Sequence, residues 1–153
     1  MKVTIKIYTI GFTKKTAEEF FKMLKCNGIK CVYDVRLNNF NQLAGFTKGE
    51  DLEYFLRVIL SVKYIHDIRF SPTKELLNGY KNGNISWNEY ERQFSQLLIN
   101  RNLESYIKNK LKNELDGICF LCSESTAKNC HRRLVAEYVK KLLKDEEIEI
   151  IHI

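Results

Sequence analysis

The sequence is poor in residues that break or stiffen a chain, with one proline and seven glycines among 153 residues. That scarcity excludes a collagen-like repeat or a linker composition. Long apolar runs are also missing. The longest, such as Val3 to Ile10, alternates with polar residues and is far shorter than the ~20 residues of a membrane-spanning helix. The N-terminal stretch has neither a continuous apolar core nor a small-residue cleavage site, so it lacks the pattern of a signal peptide, and the expected location is the cytoplasm. Internal repeats and low-complexity tracts are absent. What remains is 44% hydrophobic and 29% charged, the mixture of an ordinary soluble globule. The length corresponds to one domain over residues 1–153.

Acidic side chains are outnumbered, 19 Asp+Glu against 25 Lys+Arg, leaving a net charge of +6. That balance favours an anionic partner: nucleic acid, a nucleotide or another phosphate-bearing molecule. Five cysteines are present. The odd count, with an expected cytoplasmic location, argues against a disulfide framework. Cys26 and Cys31 lie in apolar-rich surroundings and are expected as small core residues.

Strand-like segments are expected over Val3–Thr9, Ile29–Val35, Val62–Ile65, Ile118–Cys122 and Glu147–Ile153. Helical signals fall between them. Thr16 with Glu19 forms a capping box for a helix that stops at Asn27-Gly28. A long loop is expected from Arg36 to about Phe46. Thr47 with Glu50 marks a second helix, to about Leu60. Ser71 followed by Pro72 marks a third. Ser86 caps a fourth, in which Trp87, Tyr90, Phe94, Leu97 and Leu98 share one face, expected as helix core rather than a base-stacking surface. A helix covers about Leu103–Leu115, and Leu134 to Leu143 marks the last. Strands alternating with helices imply an α/β fold: a single domain with a mainly parallel β-sheet flanked by helices. In such sheets function gathers at the carboxyl edge of the strands. The residues that follow the expected strands are Gly11, Phe12 and Thr13; Asp34 and Arg36; His66 and Asp67; Cys122 and Glu124; and His152. Titratable groups therefore collect on that edge.

The densest cluster runs from Cys122 through Glu124 to Cys130, His131 and Arg132. It reads as a strand end, a polar loop and a helix start. A helix N-terminus suits an anion and lowers the pKa of a nearby thiol. Three chemistries fit the residue types. Cys122 can be a nucleophile with His131 or Glu124 as acid or base. Cys122, Cys130 and His131 can ligate a metal, with Cys119 or Glu124 as a fourth ligand. Arg132, with Lys128 and Arg36, can hold an anion without covalent chemistry. A purely structural arrangement also accounts for the cluster: Cys130 packed under the loop, Glu124 capping the helix, and Arg132 paired with Asp34 or Glu124. Asp34-x-Arg36 fits a general base beside an anion clamp, or an ion pair tying loop to sheet. Residues three apart on a strand face opposite sides, which separates Cys119 from Cys122. Cys130 and His131, adjacent at a helix start, would diverge by about 100° around the axis. Free thiols are therefore expected rather than a metal site, with Cys130 partly buried and Cys122 facing a pocket.

The chain resembles the family called domain of unknown function 488 along nearly its whole length. The resemblance is carried by Tyr8-Thr9-Ile10-Gly11, Asp34-Val35-Arg36, Ser71 to Leu76, Trp87 with Tyr90, Cys122-x-Glu124 with Cys130-His131-Arg132, and His152. Phe12 and Thr13 stand where many relatives carry histidine then serine, and Cys119 lies outside the family pattern. The resemblance implies an α/β fold and a shared site, and names no reaction or cofactor. The expected function is an enzyme acting on a phosphate-bearing ligand, a nucleotide or nucleic acid. Asp34, Cys122, Glu124 and His131 would be the catalytic groups, and Arg36, Lys128 and Arg132 the anion holders. The alternative is a non-catalytic nucleic-acid-binding or metal-stabilised module. No membrane partner is expected.

Overall fold

The computed structural model describes residues 2–40 and 44–153. In them β1 (Ile5–Gly11), β2 (Cys31–Asp34), β3 (Lys63–His66), β4 (Ile118–Cys122) and β5 (Ile148–His152) form one parallel sheet in the order β3-β2-β4-β1-β5. Six α-helices flank it: α1 (Ala17–Cys26), α2 (Gly49–Phe55), α3 (Lys74–Lys81), α4 (Trp87–Asn100), α5 (Glu104–Asn109) and α6 (His131–Leu142). The fold is α/β, as the alternation of strand and helix signals implies. Among the described residues no helix is long and apolar enough to cross a membrane.

Alternation along each strand feeds two apolar layers. Ile7, Tyr33 and Phe120 face α3 to α6, where Leu76, Phe94, Ile107 and Val135 are buried against them. Tyr8, Ile10, Val32 and Leu121 face the other way, onto Phe20 and Leu24 of α1 and Leu52 of α2. Insertion of β4 between β1 and β2 positions the site. Its register pairs Gly11 with Cys122 and Asp34 with Leu121, so the carboxyl ends of these three strands adjoin.

Several boundaries differ from expectation. The strand expected over Val3–Thr9 lies two residues later, because Ile10 and Gly11 are still paired, with Leu121 and Cys122. The Thr47–Glu50 box does not form. Lys48 precedes α2 without a side-chain cap, and the Thr47 hydroxyl donates to the Ala44 carbonyl (2.8 Å) in a 3-10 turn. Ser71 is not a cap either. Its hydroxyl donates to the Ile68 carbonyl (2.7 Å), while Thr73 accepts from the Leu76 N–H (3.2 Å) and leaves Pro72 outside α3. The helix expected over Leu103–Leu115 breaks at Lys110 (φ −121°, ψ −60°) and continues as a 3-10 turn. The loop expected from Arg36 to Phe46 includes residues 41–43, which lie outside the described residues. Cys31 is buried, but Cys26 ends α1 on its exposed side. The Thr16–Glu19 box forms with both bonds (2.9 and 3.1 Å), and Gly28 stops α1 at φ +63°.

Candidate functional site

A cleft of about 170 Å³ opens at the carboxyl edge, beside the ends of β2 and β4. That space holds on the order of ten water-sized groups, a small molecule or one moiety of a larger one. Its floor is Cys122, Cys130 and His131. One wall is the loop after β2, with Arg36 and Asn38, and the rim carries Glu124. The opposite wall is aromatic: Tyr80 of α3 with Trp87 and Tyr90 of α4. Trp87 and Tyr90 stack at 5.0 Å and 20° between planes, and Tyr80 meets both rings edgewise or tilted.

His131 fixes the chemistry of the floor. Its Nε2 lies 2.8 Å from the Val35 carbonyl oxygen. A carbonyl only accepts, so Nε2 carries a proton. Cys122 Sγ lies against the face of this ring, 3.4 Å from Nδ1 and 3.7 Å from Nε2. The ring is clamped further by Phe94, edge-on at 5.7 Å. Burial pushes the Cys122 thiol up, but the Cys130 thiol, the Ser123 N–H and the charge of Arg132 outweigh it and leave Cys122 more acidic than an ordinary cysteine. Burial, then the neighbouring Cys122, push Cys130 the other way, well above the usual range. The floor is thus an asymmetric pair, one sulfur poised to ionise and one held as a thiol.

The expected divergence of Cys130 from His131 does not occur. Cys130 is the N-cap residue, extended at φ −137° and ψ 136°, so the 100° step between helical neighbours does not apply to it. One ligand atom from each of Cys122, Cys130 and His131 lies within 4.8 Å of the others. These two sulfurs and one imidazole could supply three ligands to a zinc-like ion. The Nε2–H bond to a backbone carbonyl is the outer-shell contact such a ligand needs. Cys119 packs in the core on the opposite face of the sheet, as the strand spacing requires, and takes no part.

Asp34 and Arg36 form a buried, two-pronged ion pair, with Nε to Oδ1 at 2.9 Å and Nη2 to Oδ2 at 2.7 Å. The Tyr64 hydroxyl donates to the same carboxylate (2.5 Å). Asp67 and Arg69 repeat this geometry at the end of β3, down to the backbone N–H that reaches Oδ1. The repetition identifies the Asp-x-Arg fork as a structural device at strand ends. The two forks differ in one respect. Arg69 is half exposed and lies over the Tyr106 ring. Arg36 is 3% exposed and lines the cleft, and among the described residues its buried Nη1 has no hydrogen-bond partner.

Arg132 is 1% exposed and, among the described residues, has no carboxylate within salt-bridge distance. Its Nη1 donates to the Glu124 carbonyl and lies 3.9 Å from Cys130 Sγ; its Nε donates to the Thr9 hydroxyl (3.2 Å). Thr9 in turn lies 2.6 Å from His152 Nδ1. Neither Asp34 nor the Glu124 carboxylate pairs with Arg132, so its charge faces the sulfurs uncompensated. Gly11 makes room for this packing, because a Cβ there would overlap the Glu124 carbonyl oxygen and Arg132 Nη1.

The structure therefore brings Cys122, His131, Glu124 and Arg36 to one cleft, with Arg132 directly behind it. Asp34 sits beneath Arg36 with both oxygens engaged and does not reach the cleft. Lys128 is exposed and lies off the cleft. His66 Nε2 lies 2.8 Å from the Arg36 carbonyl, while Asp67 serves Tyr33 and Arg69, so the two adjacent residues do not pair. As a carbonyl only accepts, it is His66 Nε2 that donates. Sequence reasoning missed Tyr80, Lys81 and the cleft-facing role of Trp87 and Tyr90. A signal existed: Leu77, Tyr80 and Lys81 follow the i, i+3, i+4 spacing of one helix face.

Searches of the curated proteins and of the solved structures return no match. A family model does match, over residues 16–139, a span that holds the Asp34–Arg36 fork, the aromatic wall and the whole Cys122–Arg132 segment. With most of its length and the cleft floor inside that match, the chain belongs to the family described as Domain of unknown function DUF488.

Proposed function

We propose that the cleft is the active site of a thiol-dependent enzyme acting on a small ligand that bears a phosphate or similar anionic group. One observation carries this reading: Cys122 Sγ lies against the His131 ring, 3.4 Å from Nδ1 and 3.7 Å from Nε2, on the floor of a cleft lined by Arg36. His131 accepts the thiol proton, Cys122 attacks, and the imidazolium returns the proton to the leaving group. Arg132, buried behind the sulfurs, stabilises the thiolate. Arg36, fixed by Asp34 at the cleft wall, contributes positive charge toward an anion there. Glu124 and Lys81 stand at the rim, where they contact the part of the ligand that projects out. The size of the cleft favours a small molecule or a single nucleotide moiety over a bound duplex.

The test compares iodoacetate with neutral iodoacetamide on the purified protein, using exposed Cys26 as the internal reference. Cys122 is expected to alkylate ahead of Cys26 at neutral pH. Relative to Cys26, it prefers the anionic reagent by about tenfold, the equivalent of one charge-assisted hydrogen bond of ~1.4 kcal/mol. Inorganic phosphate slows that reaction. A Cys122 that reacts no faster than Cys26 overturns the nucleophile, and a reagent preference at Cys122 equal to that at Cys26 overturns the anion subsite. A second reading rests on the convergence of Cys122, Cys130 and His131 within 4.8 Å. Zinc recovered one-to-one with the protein, blocking alkylation until chelated, would establish the metal-stabilised module instead.

A further inference from the structure

The nucleophile reading leaves Cys130 unused, a buried thiol on the cleft floor beside the reactive one. We propose that Cys122 and Cys130 form a redox-active dithiol that reduces a small anionic disulfide in the cleft and closes to an intramolecular disulfide. The proposal rests on Cys122 being the nucleophile and names its substrate class.

Placement supports it. The two sulfurs lie within 4.8 Å of each other and line one cleft, so side-chain rotation has little distance to cover to reach the ~2.05 Å of a disulfide. Cys122 is the last residue of β4 and Cys130 precedes α6, with only the polar loop 123–129 between them. Closing the bond therefore links a strand end to a helix start, outside the interior of either element. The other cysteines are placed elsewhere: Cys31 and Cys119 within the sheet, Cys26 on the surface at the end of α1.

The two sulfurs also have different neighbours, as attack followed by resolution requires. Cys122 lies against the His131 ring, nearer Nδ1 (3.4 Å) than Nε2 (3.7 Å). Cys130 lies 3.9 Å from Arg132 Nη1, a cation placed to stabilise its thiolate when its turn comes. In the first step the Cys122 thiol gives its proton to His131 Nδ1 and the thiolate attacks one sulfur of R–S–S–R. The substrate S–S bond breaks, a Cys122–S–S–R bond forms, and the departing R–S⁻ takes the proton from His131. In the second step Cys130 loses its proton to the same imidazole and attacks Cys122 Sγ. The mixed disulfide breaks, the second R–S⁻ leaves and is protonated, and the protein disulfide is complete. Two protein thiols are oxidised and one disulfide is reduced to two thiols. A small dithiol reductant returns the protein to its starting state.

The experiment uses the full chain carrying Cys26→Ser, which removes the exposed thiol outside the cleft. The probe is dithiobis-nitrobenzoate, an aromatic disulfide with a carboxylate on each ring. The reduced protein is expected to release two chromophores per chain, to end lighter by two hydrogen masses, and to yield a peptide that links Cys122 to Cys130. Adding Cys130→Ser stops the reaction after one chromophore, with a stable adduct on Cys122. An adduct that persists on Cys122 while Cys130 is intact overturns the dithiol and leaves the nucleophile standing. A Cys122 that fails to react in the folded, reduced protein overturns both. The folded state of each variant is checked by far-UV circular dichroism before the reaction.

Discussion

Arg132 is a guanidinium in the interior with, among the described residues, no carboxylate within salt-bridge distance, and its charge acts on the titratable groups near it. It lowers the pKa of Cys122, and after burial it is the main influence lowering His152 below its ordinary 6.5. Removing the charge while keeping the volume, by Arg132→Met, moves both pKa values the same way, upward. The pH at which Cys122 alkylation is half-maximal rises, and the His152 ring protons, followed by NMR, titrate closer to 6.5. An unmoved Cys122 profile would show that Ser123 and Cys130 alone set its acidity. Gly11 belongs to the same packing. The sequence marks it as a turn residue after a strand, but its structural reason is close approach: Glu124 and Arg132 occupy the space a Cβ would take. Gly11→Ala therefore forces the 122–130 loop outward. Its expected cost is about 1–3 kcal/mol in urea unfolding, together with loss of the fast Cys122 reaction. Residue identities at the site were legible in the sequence because cysteine, histidine and arginine announce their chemistry. Which atoms face one another was not. The exposure of Lys128 depends on a loop path that no local pattern encodes, whereas the Asp34–Arg36 fork is one of the two readings its spacing offers.

Helix starts show where local pattern suffices and where it fails. The Thr16–Glu19 box closes as its spacing demands, because both partners lie inside four residues. Ser71-Pro72 and Thr47–Glu50 have comparable local signals, yet the chain enters α3 and α2 at other residues. Ser71 closes the 3-10 turn Ile68–Phe70 after β3, its hydroxyl bonded to the Ile68 carbonyl, and Thr73 takes the cap. Thr73→Ala is expected to cost about 1 kcal/mol, read as a lower urea midpoint at unchanged slope. A null effect there would return the cap to Ser71. Cys130 is the third case and matters most for function. As an N-cap with extended backbone and no side-chain cap bond, it turns its sulfur toward β4 rather than along the helix surface. A reading of adjacent residues as helical neighbours therefore places Cys130 and His131 apart. One residue's backbone conformation decides whether the site has one sulfur or two.

At the scale of the molecule, alternating strand and helix signals made the α/β class and the functional edge legible, because both follow from period and handedness. Strand order was not legible. Nothing in the local pattern says that β4 inserts between β1 and β2, yet that insertion sets Cys122 beside Gly11 and brings Val35 to His131. The same strand joins the two apolar layers, with Phe120 buried on one face and Leu121 on the other, both 0% exposed. We infer from this that the chain unfolds as one cooperative domain, a property the shared central strand imposes. The single tryptophan, Trp87, packs on the face of α3 to α6 and reports that layer alone by fluorescence. Leu121→Ala removes packing from the opposite layer, against α1 and α2, and is expected to cost about 2–5 kcal/mol. If the layers are one unit, the Trp87 transition shifts to lower urea by that full amount and coincides with the far-UV circular dichroism transition, at unchanged slope. A Trp87 transition that stays in place while part of the dichroism signal moves would divide the chain into two separately folding layers.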